Sequence, residues 1–469
     1  MENIVLKFGG TSITNGQENI KLVVSKYYPT HKQIIVLSAL SGVTNKLSKL
    51  VNYESLYDCL NEIKEIYHIH NDFIRIYIKK YITNRGKIFT TIDKLFKDLI
   101  KTVTTYNQKP PFLQLKEKHK YNDLICSYGE KMSIHIQYYI LMEHDYKSII
   151  IKAQDIIKTN DNYGDAYPKY HLIEKNIEDL LENIKGSNHT IFLMSGFIGS
   201  TVEKRITTLG RSGSDFTATI LGKYLKAKQI NIYTDVDGIL SSDPQKVQSA
   251  KTLNEISIKE MAEMSYFGAN VLHSKTLIPI ENENIKLKIL NTFNLENPGT
   301  TIIKNECNRN KLFTSISSIN NNILVTINGK GMTGMYGILG KLFTALEDNH
   351  INVVFLSQAS SEQTICFTIL DKYKDDIKSL LNNVFSNYLD EEKISNIKID
   401  EDISIISVIG ENMKTKIGIA GTLFNIMGNN DINIKAISQG SCEISINFII
   451  ERENVLRALN LLHELITCL

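Results

Sequence analysis

The chain has 469 residues, which is long enough for two or three domains, each with a sizeable hydrophobic core. It contains 53 Lys and Arg residues against 51 Asp and Glu residues, and the resulting net charge of +2 excludes a global field that attracts nucleic acid or an anionic membrane. The six cysteines show no metal-ligand spacing, the N-terminus has no secretory signal and no apolar run reaches membrane-spanning length, so the composition predicts a cytoplasmic protein with free thiols.

A glycine turn follows the first predicted strand. Residues 4–8 are apolar around Lys7 and predict a buried strand, after which Gly9 and Gly10 turn the chain into a helix. Glycines let backbone N–H groups approach an anion, a helix N-terminus adds favourable potential, and Lys7 supplies a positive charge. The turn therefore predicts a phosphate site, although a tight structural turn produces the same pattern. It matches neither the Walker A motif nor the GxGxxG fingerprint.

A second buried strand is predicted at residues 33–38, followed by a small, hydroxyl-rich loop at 39–45. Such loops at the carboxyl ends of parallel strands are where open α/β sheets hold ligands. Residues 46–146 are predicted to be largely helical. His68 and His70 lie in this stretch but point to different helix faces, which favours solvated or core histidines over a metal site.

One carboxylate stands in the segment Ser127-Tyr128-Gly129-Glu130. Ser and Gly ahead of an early Glu are typical of a capping box, so the pattern predicts that a helix starts here and that Glu130 caps it. Glu130 could instead hold a substrate ammonium group. The residues by themselves favour the capping role.

A second glycine-rich loop at residues 207–215 follows predicted strands at 148–153 and 190–195. Two glycines flank Arg211 ahead of a helix, and the guanidinium fork suits bidentate binding of a carboxylate or phosphate. Ser214 or Asp215 is predicted to cap the helix. Asp215 could also orient a lysine or a metal ion beside the bound anion.

Two more strands are predicted in the first part of the chain, at residues 230–239 and 286–293. The earlier one leads into Asp235 and Asp237, which could bind Mg²⁺ but are also ordinary turn residues. The later one is predicted to be the final strand of this region. It ends at Asn297-Pro298-Gly299, a candidate domain boundary.

An internal repeat occupies the last third of the chain. Gly340 corresponds to Gly421 and Glu362 to Glu443, so the two copies are offset by 81 residues. Each copy predicts a strand, a glycine-rich turn, a helix, a strand, a polar loop and a strand. Two such units indicate a paired module that binds a ligand at the interface between the two copies.

Together these motifs resemble those of aspartokinases, which belong to the amino acid kinase family, and the resemblance covers the whole chain. Five motifs stand in the family's order, at residues 7–12 (KFGGTS), 127–130 (SYGE), 207–215 (TTLGRSGSD), 234–238 (TDVDG) and 267–273 (FGANVLH). The repeats resemble tandem ACT domains. Their Ser-Gln loops are similar to those of threonine-responsive members, including the kinase half of the aspartokinase–homoserine dehydrogenases.

The resemblance implies a fold, a domain division and an activity. The fold is an α/β/α sandwich with a largely parallel sheet, followed by two α+β ACT domains. The implied division is a kinase domain at 1–298 and a regulatory region at 299–469, with repeats at about 320–395 and 400–469. The implied activity is ATP-dependent phosphorylation of the L-aspartate β-carboxylate, the first step of lysine, threonine and methionine synthesis. Feedback inhibition by an amino acid is implied, with threonine favoured and lysine second.

The resemblance also implies roles for individual residues. It assigns Lys7 and Asp215 to the reacting centre; Thr44, Glu130, Arg211 and Ser214 to aspartate; Lys7, Phe8, Gly9, Gly10, Thr234, Asp235, Leu240, Gln245, Asn270 and Val271 to ATP; and Gln358 and Gln439 to the effector. Mg²⁺ is expected to be held mainly by the nucleotide, with no metal site of the protein's own. A homodimer or homotetramer through the ACT domains is expected.

Two positions depart from the family pattern. Many relatives carry Arg where this chain has Gln245 and Lys where it has Asn270. In the relatives, both of these cations lie on the phosphate side of the site. In this chain, Lys246 and Lys275 lie nearby in sequence and are candidate substitutes for them. One alternative is therefore an ACT sensor or regulatory subunit with weakened catalysis. Acetylglutamate kinase and glutamate 5-kinase are further alternatives, but they explain neither Glu130 nor the repeat.

Overall fold

The computed structural model of the chain describes residues 1–183, 189–268, 271–304, 312–329, 337–359 and 363–468. The chain forms two compact units. Unit 1 comprises Met1–Ile239, Thr252–Ile258 and Val271–Cys307, and unit 2 comprises Leu240–Lys251, Lys259–Asn270 and Asn308–Leu469. Within the described ranges, no helix combines the length and the apolar character needed to cross a membrane.

The elements follow in chain order. The first part of the chain contains β1 (Glu2–Phe8), α1 (Gly10–Asn15), α2 (Gln17–Tyr27), β2 (His31–Leu37), α3 (Val43–Lys49), α4 (Leu56–Tyr77), α5 (Ile82–Asn107), α6 (Pro111–Glu143), β3 (Ser148–Ile151), α7 (Ala153–Ile156), α8 (Tyr170–Asn183), β4 (Ile191–Ser195), β5 (Ile198–Ser200), β6 (Ile206–Thr208), α9 (Gly213–Tyr224), β7 (Gln229–Thr234), β8 (Glu255–Ser257), α10 (Ile258–Tyr266), β9 (Lys286–Asn291) and β10 (Thr300–Ile303). The remainder contains β11 (Ser315–Ile319), β12 (Asn322–Asn328), α11 (Ile338–Asp348), β13 (Phe355–Gln358), β14 (Thr364–Leu370), α12 (Lys374–Val384), α13 (Ser386–Asp390), β15 (Asn396–Asp400), β16 (Ile403–Ile409), α14 (Ile419–Asn429), β17 (Ala436–Gln439), β18 (Ser445–Glu451) and α15 (Val455–Cys468).

Unit 1 is built on an eight-stranded sheet with the order β3-β4-β2-β1-β7-β9-β10-β8. β10 is antiparallel to β9 and parallel to β8, while the other neighbouring pairs are parallel. The last five residues of β1 and of β2 are all buried, as expected for central strands covered by helices on both faces. The predicted, largely parallel α/β fold is confirmed.

The long helical stretch predicted for residues 46–146 is also confirmed, as α3 to α6. His70 is completely buried, its Nδ1 lies 2.7 Å from Ile66 O, and its ring packs edge-on against Phe96. His68 is exposed. The two residues are thus a core histidine and a solvated one, as predicted.

The prediction that residues 286–293 form the final strand of the first region is wrong. Thr300–Ile303 form a further strand, β10, which pairs with β9 in the same sheet. Gly299 has φ +65°, and its N–H donates to Asn297 Oδ1 at 2.9 Å. The Asn-Pro-Gly segment is therefore the last part of the connection, residues 292–299, between two paired strands.

Unit 2 contains two antiparallel four-stranded sheets, with the orders β13-β14-β12-β15 and β11-β16-β18-β17. The predicted repeat is confirmed, because α11 and α14 follow strands β12 and β16 at equivalent positions, and both are preceded by a glycine with positive φ, Gly337 and Gly418. β11 was not predicted. It precedes the first repeat in sequence but pairs with β16 of the second.

Candidate functional site

The candidate site lies in unit 1, where β1, β2 and β4 end. These strands are parallel neighbours, so their carboxyl ends meet at one edge of the sheet. The glycine turn after β1, the loop at 39–42 after β2 and the Ser195-Gly196 step after β4 all leave the sheet here.

The turn after β1 is tightly packed. A side chain at Gly10 would place its Cβ 2.9 Å from Ala39 O, which only glycine avoids. A Cβ at Gly9 would lie 3.5 Å from Lys7 Nζ, in van der Waals contact with the ammonium group. Lys7 Nζ is 2.6 Å from Asp215 Oδ1, and both side chains are about nine-tenths buried. The turn thus places a buried ion pair beside two half-buried glycines.

The segment with Arg211 leads into α9. Gly210 has φ +71° and Ser212 has φ +53°, so the chain turns sharply on both sides of Arg211, which is exposed. The predicted cap is wrong: α9 begins at Gly213, Ser212 occupies the N-cap position, and the Ser212 side chain makes no capping hydrogen bond within the described residues. Asp215 lies in the first turn and pairs with Lys7, the orienting role that was its alternative.

Glu130 lies inside α6, far from either helix end. The predicted helix start at residues 127–130 is therefore wrong, and α6 runs from Pro111 to Glu143. Gly129 serves helix packing instead, because a Cβ there would lie 2.9 Å from Ala39 Cβ. A glycine that admits a close neighbour gives the same sequence signal as a glycine that opens a helix.

The Glu130 carboxylate is almost fully buried. Its Oε1 accepts a hydrogen bond from Ala39 N at 3.3 Å, while Oε2 has no hydrogen-bond partner among the described residues. Burial raises the pKa of Glu130 to about 8, against the Ala39 amide, the Lys131 charge and the Thr44 hydroxyl, which lower it. A buried carboxylate with an unpartnered oxygen is suited to receive a cation.

Contacts connect these groups in a ring. Ser195 Oγ donates to Glu130 O at 3.3 Å, and Gly196 N donates to Leu37 O at 2.8 Å. A Cβ on Gly196 would lie 2.7 Å from Ser214 Cα, so the end of β4 packs directly on the N-terminus of α9. The structure thereby brings together Lys7, Gly9, Gly10, Glu130, Ser214 and Asp215, with Thr44 beside Glu130.

Other residues that the resemblance assigns to ATP are more dispersed. Phe8 is fully buried and stacks on Tyr233 at 5.0 Å, so only its backbone is available to a ligand. Thr234 ends β7, the neighbour of β1, and its hydroxyl donates to Asp235 Oδ1 at 3.2 Å. Val271 is half-buried in unit 1.

The other nucleotide candidates belong to unit 2 or are not described. Leu240 and the exposed Gln245 lie in the segment of unit 2 at residues 240–251, and Asn270 lies outside the described residues. In unit 2 this segment is held by His463, whose ring nitrogens lie 2.8 Å from Ser241 Oγ and 3.0 Å from Ser249 Oγ.

The effector candidates Gln358 and Gln439 end β13 and β17 and are both exposed. The two strands approach each other in unit 2, where Ser357 Oγ donates to Ile437 O at 2.9 Å. The glutamines therefore lie at equivalent positions of the two repeats, as the 81-residue offset requires.

The side chains that hold residues 207–213, here called the Arg211 segment, were not identified from the sequence. Lys275 Nζ binds Leu209 O at 2.6 Å and also the Asp165 carboxylate, so it holds this segment. Asp123 binds Thr208, at the end of β6. The only available signal for Asp123 was its position seven residues before Glu130, which puts both on one face of a helix.

Comparisons with known proteins extend over the whole chain. The sequence profile of the amino acid kinase family matches residues 2–291, and that of the ACT domain matches residues 325–385 and 406–465. The chain is 32% identical over 471 residues to the bifunctional aspartokinase/homoserine dehydrogenase of Buchnera aphidicola, covering 98% of this chain and 56% of that protein. It is 31% identical over 483 residues to the chloroplastic aspartokinase 2 of Arabidopsis thaliana, covering 98% and 83%. The chain spans about half the length of the bifunctional relatives it matches.

Solved structures of E. coli aspartokinase III show the same fold. Its complex with aspartate and ADP, described as the R-state, matches with a TM-score of 0.83 and 26% identity, covering 99% of this chain and 100% of that one. Its complex with lysine and aspartate, described as the T-state, matches with a TM-score of 0.78 at the same identity and coverage.

Proposed function

This chain belongs to the amino acid kinase family, and on that premise we propose that it is an aspartokinase, which transfers the γ-phosphoryl group of ATP to the β-carboxylate of L-aspartate. The observation that carries the proposal is the ring in unit 1, in which a buried Lys7–Asp215 pair at a glycine turn is linked through packed loops to the unpartnered carboxylate oxygen of Glu130. A phosphate site and an ammonium site joined in this way suit a kinase that acts on an amino acid.

The glycine turn is the proposed phosphate site. Gly9 places no side chain beside Lys7 Nζ, which suits a phosphate group at this position, and Gly10 lets the turn pack against the loop at Ala39. Asp215 holds the lysine ammonium in place. Mg²⁺ bound to the nucleotide would supply further charge neutralisation on the phosphates. Phe8 contributes backbone only, because its ring is buried.

The proposed aspartate site uses Glu130 and Arg211. Glu130 takes the substrate ammonium, which supplies the partner that its Oε2 lacks among the residues the structure describes. Arg211 binds the α-carboxylate through its guanidinium fork. Thr44 beside Glu130 and Ser214 at the start of α9 complete the polar lining.

The chemistry requires alignment more than proton transfer. A β-carboxylate oxygen attacks the γ-phosphorus, a new P–O bond forms, and the bond from the γ-phosphorus to the β,γ-bridging oxygen breaks to release ADP. Since the carboxylate is already ionised, no general base is needed. Lys7 stabilises the charge that develops on the transferred group.

The remaining nucleotide residues are proposed from the resemblance, with Thr234, Asp235, Leu240 and Val271 at the nucleoside. Gln245 and Asn270 stand where relatives carry cations. Lys275 is engaged with Asp165 and Leu209, and Lys246 lies 3.6 Å from Asp243 and 3.0 Å from Ser318, so both candidate substitutes already have partners.

Regulation is proposed for the ACT repeats, with residues 1–298 as the catalytic region. An amino acid would bind at Gln358 or Gln439, and threonine is the first candidate because the Ser-Gln loops are similar to those of threonine-responsive members. Lysine is the second candidate, because E. coli aspartokinase III has a structure in complex with lysine and aspartate.

We further propose that the product feeds lysine, threonine and methionine synthesis in the cytoplasm, and that the ACT domains mediate a homodimer or homotetramer. The buried free thiols Cys59 and Cys126 fit a reducing compartment.

The test is a coupled assay for ADP release with ATP and L-aspartate, with hydroxylamine present to capture the acyl phosphate. Aspartate-dependent hydroxamate formation is expected, and it should be absent with L-glutamate or N-acetylglutamate. Hydroxamate formed from either of those acceptors instead of aspartate would assign a different amino acid kinase. Binding of threonine or lysine without any ADP release would favour the alternative function, a regulatory sensor.

A further inference from the structure

Asp123 is a completely buried carboxylate that the proposed reaction does not use. It lies on α6 and accepts three hydrogen bonds: Oδ2 accepts from Gly164 N at 3.0 Å and from Thr208 N at 2.8 Å, and Oδ1 accepts from Thr208 Oγ1 at 2.8 Å. Burial raises the pKa of Asp123 to about 6, against these three hydrogen bonds. Asp123 is therefore ionised at pH 8, and each of its bonds is charge-assisted.

The partners of Asp123 are the two chain segments that support Arg211. Thr208 is the last residue of β6 and stands three residues before Arg211. Gly164 lies in the connection between α7 and α8, and its carbonyl oxygen would lie only 2.9 Å from a Cβ on Gly210. The two segments are also joined directly, because Ala166 N donates to Thr208 O at 2.9 Å. One carboxylate thus binds both the end of β6 that leads to Arg211 and the connection that packs against Gly210.

Asp123 and Glu130 share one face of one helix. They are seven residues apart, which corresponds to two turns and about 10 Å along the axis. Both are buried, and the helix continues on either side of them, so their separation is fixed by regular helical hydrogen bonds. A change in the tilt or position of α6 would move both carboxylates together.

We propose that Asp123 is a positioning residue that sets the location of Arg211 relative to Glu130. It would fix the spacing between the groups that bind the α-carboxylate and the ammonium of the substrate, and would therefore determine which amino acid backbone the site accepts. This inference rests on the proposed aspartokinase function.

The test compares three variants of the full chain. Asp123→Ala removes the anchor, and Glu143→Ala is the matched control. Asp123→Asn keeps the shape without charge: its carbonyl oxygen can accept from Gly164 N and Thr208 N, and its NH2 group can donate to Thr208 Oγ1. Glu143 is also a buried carboxylate on α6, and it accepts hydrogen bonds from the backbone N–H groups of Lys79, Lys80 and Tyr81, away from the ring. Aspartate KM, ATP KM and kcat are measured at pH 8 for each protein.

We expect Asp123→Ala to raise the aspartate KM by about tenfold or more, because misplacement of a binding group by about 1 Å is costly. The ATP KM should stay within about twofold, and Asp123→Asn should restore most of the aspartate affinity. Glu143→Ala should lower the thermal midpoint while both KM values stay within about twofold. An unchanged aspartate KM in Asp123→Ala, or equal KM changes in Asp123→Ala and Glu143→Ala, would overturn the proposal.

A second measurement does not depend on activity. Amide hydrogen exchange of residues 206–213 and 161–166 should speed up in Asp123→Ala and stay as in wild type in Glu143→Ala. If the wild type shows no aspartate-dependent turnover, the proposed function fails while exchange still tests the anchor. Unchanged exchange in Asp123→Ala would refute the anchor itself.

Discussion

The proposed binding of the substrate ammonium by the buried Glu130 carboxylate predicts that the affinity for aspartate depends on pH. With a pKa of about 8, raised by burial, Glu130 is about one-tenth ionised at pH 7 and about one-hundredth ionised at pH 6. Only the ionised form attracts an ammonium group. The aspartate KM should therefore fall about ninefold from pH 6 to pH 7 and about fivefold from pH 7 to pH 8, and then level off.

The substitution that isolates this effect is Glu130→Gln, which keeps the size of the side chain but cannot ionise. It should remove the pH dependence and raise the aspartate KM at pH 8 by about 30-fold or more, since loss of one partner of a buried charge pair costs about 2–5 kcal/mol. Glu143→Gln, on the same helix, should behave like the wild type.

Titration calorimetry measures the same coupling without turnover. Because aspartate binds to the ionised form of Glu130, binding at pH 7 should release close to one proton from this residue. The release is measured as a difference in binding enthalpy between two buffers with different ionisation enthalpies. Lys131 also has a pKa of about 8, lowered by burial, so Lys131→Met serves as a second control. In this variant the pH dependence should persist but move to higher pH, because the charge that lowers the Glu130 pKa is lost. A KM that is constant from pH 6 to pH 8, or a slope that disappears in Lys131→Met and persists in Glu130→Gln, would refute the reasoning.

Four further outcomes are expected. Lys7→Ala should lower kcat by several orders of magnitude, because a preorganised buried charge is among the largest catalytic contributions; near-normal turnover in a folded variant would remove Lys7 from the reacting centre. Arg211→Lys keeps the charge but not the fork and should raise the aspartate KM with little effect on the ATP KM, whereas equal aspartate KM values would make Arg211 structural. Gln358→Ala or Gln439→Ala should weaken inhibition by threonine or lysine by roughly 5- to 150-fold in titrations of activity, and inhibition that survives both substitutions would locate the effector elsewhere. His70 has a pKa lowered by burial to about 4, so it favours folding above pH 6.5, and about 3 kcal/mol of that stability should be lost as the pH falls from 6.5 through 4; His70→Gln should flatten this part of the denaturation profile, and an unchanged profile would contradict it.

Much of the fold was predictable because it depends on local patterns. Buried parallel strands are continuous apolar runs, and β1, β2 and β4 were found within a few residues of their true bounds. The 81-residue offset revealed the two repeats without any structural information. The glycine turn after β1 was also predictable, since close backbone approach restricts the residue type directly.

The sequence did not decide the roles of two residues. The residues around Glu130 favoured a helix cap over binding of an ammonium group, and Asp215 was predicted to cap α9 or to orient a lysine or a metal ion. Only the tertiary structure decided these cases, because it brings Ala39 against Gly129 and Lys7 against Asp215 from distant parts of the chain. The pairing of β11 with β16 and the anchoring of Thr208 by Asp123 are likewise long-range contacts. The pattern of residues reflects the local environment of a side chain. The partner that gives this side chain its role is determined by packing between segments that are distant in the chain.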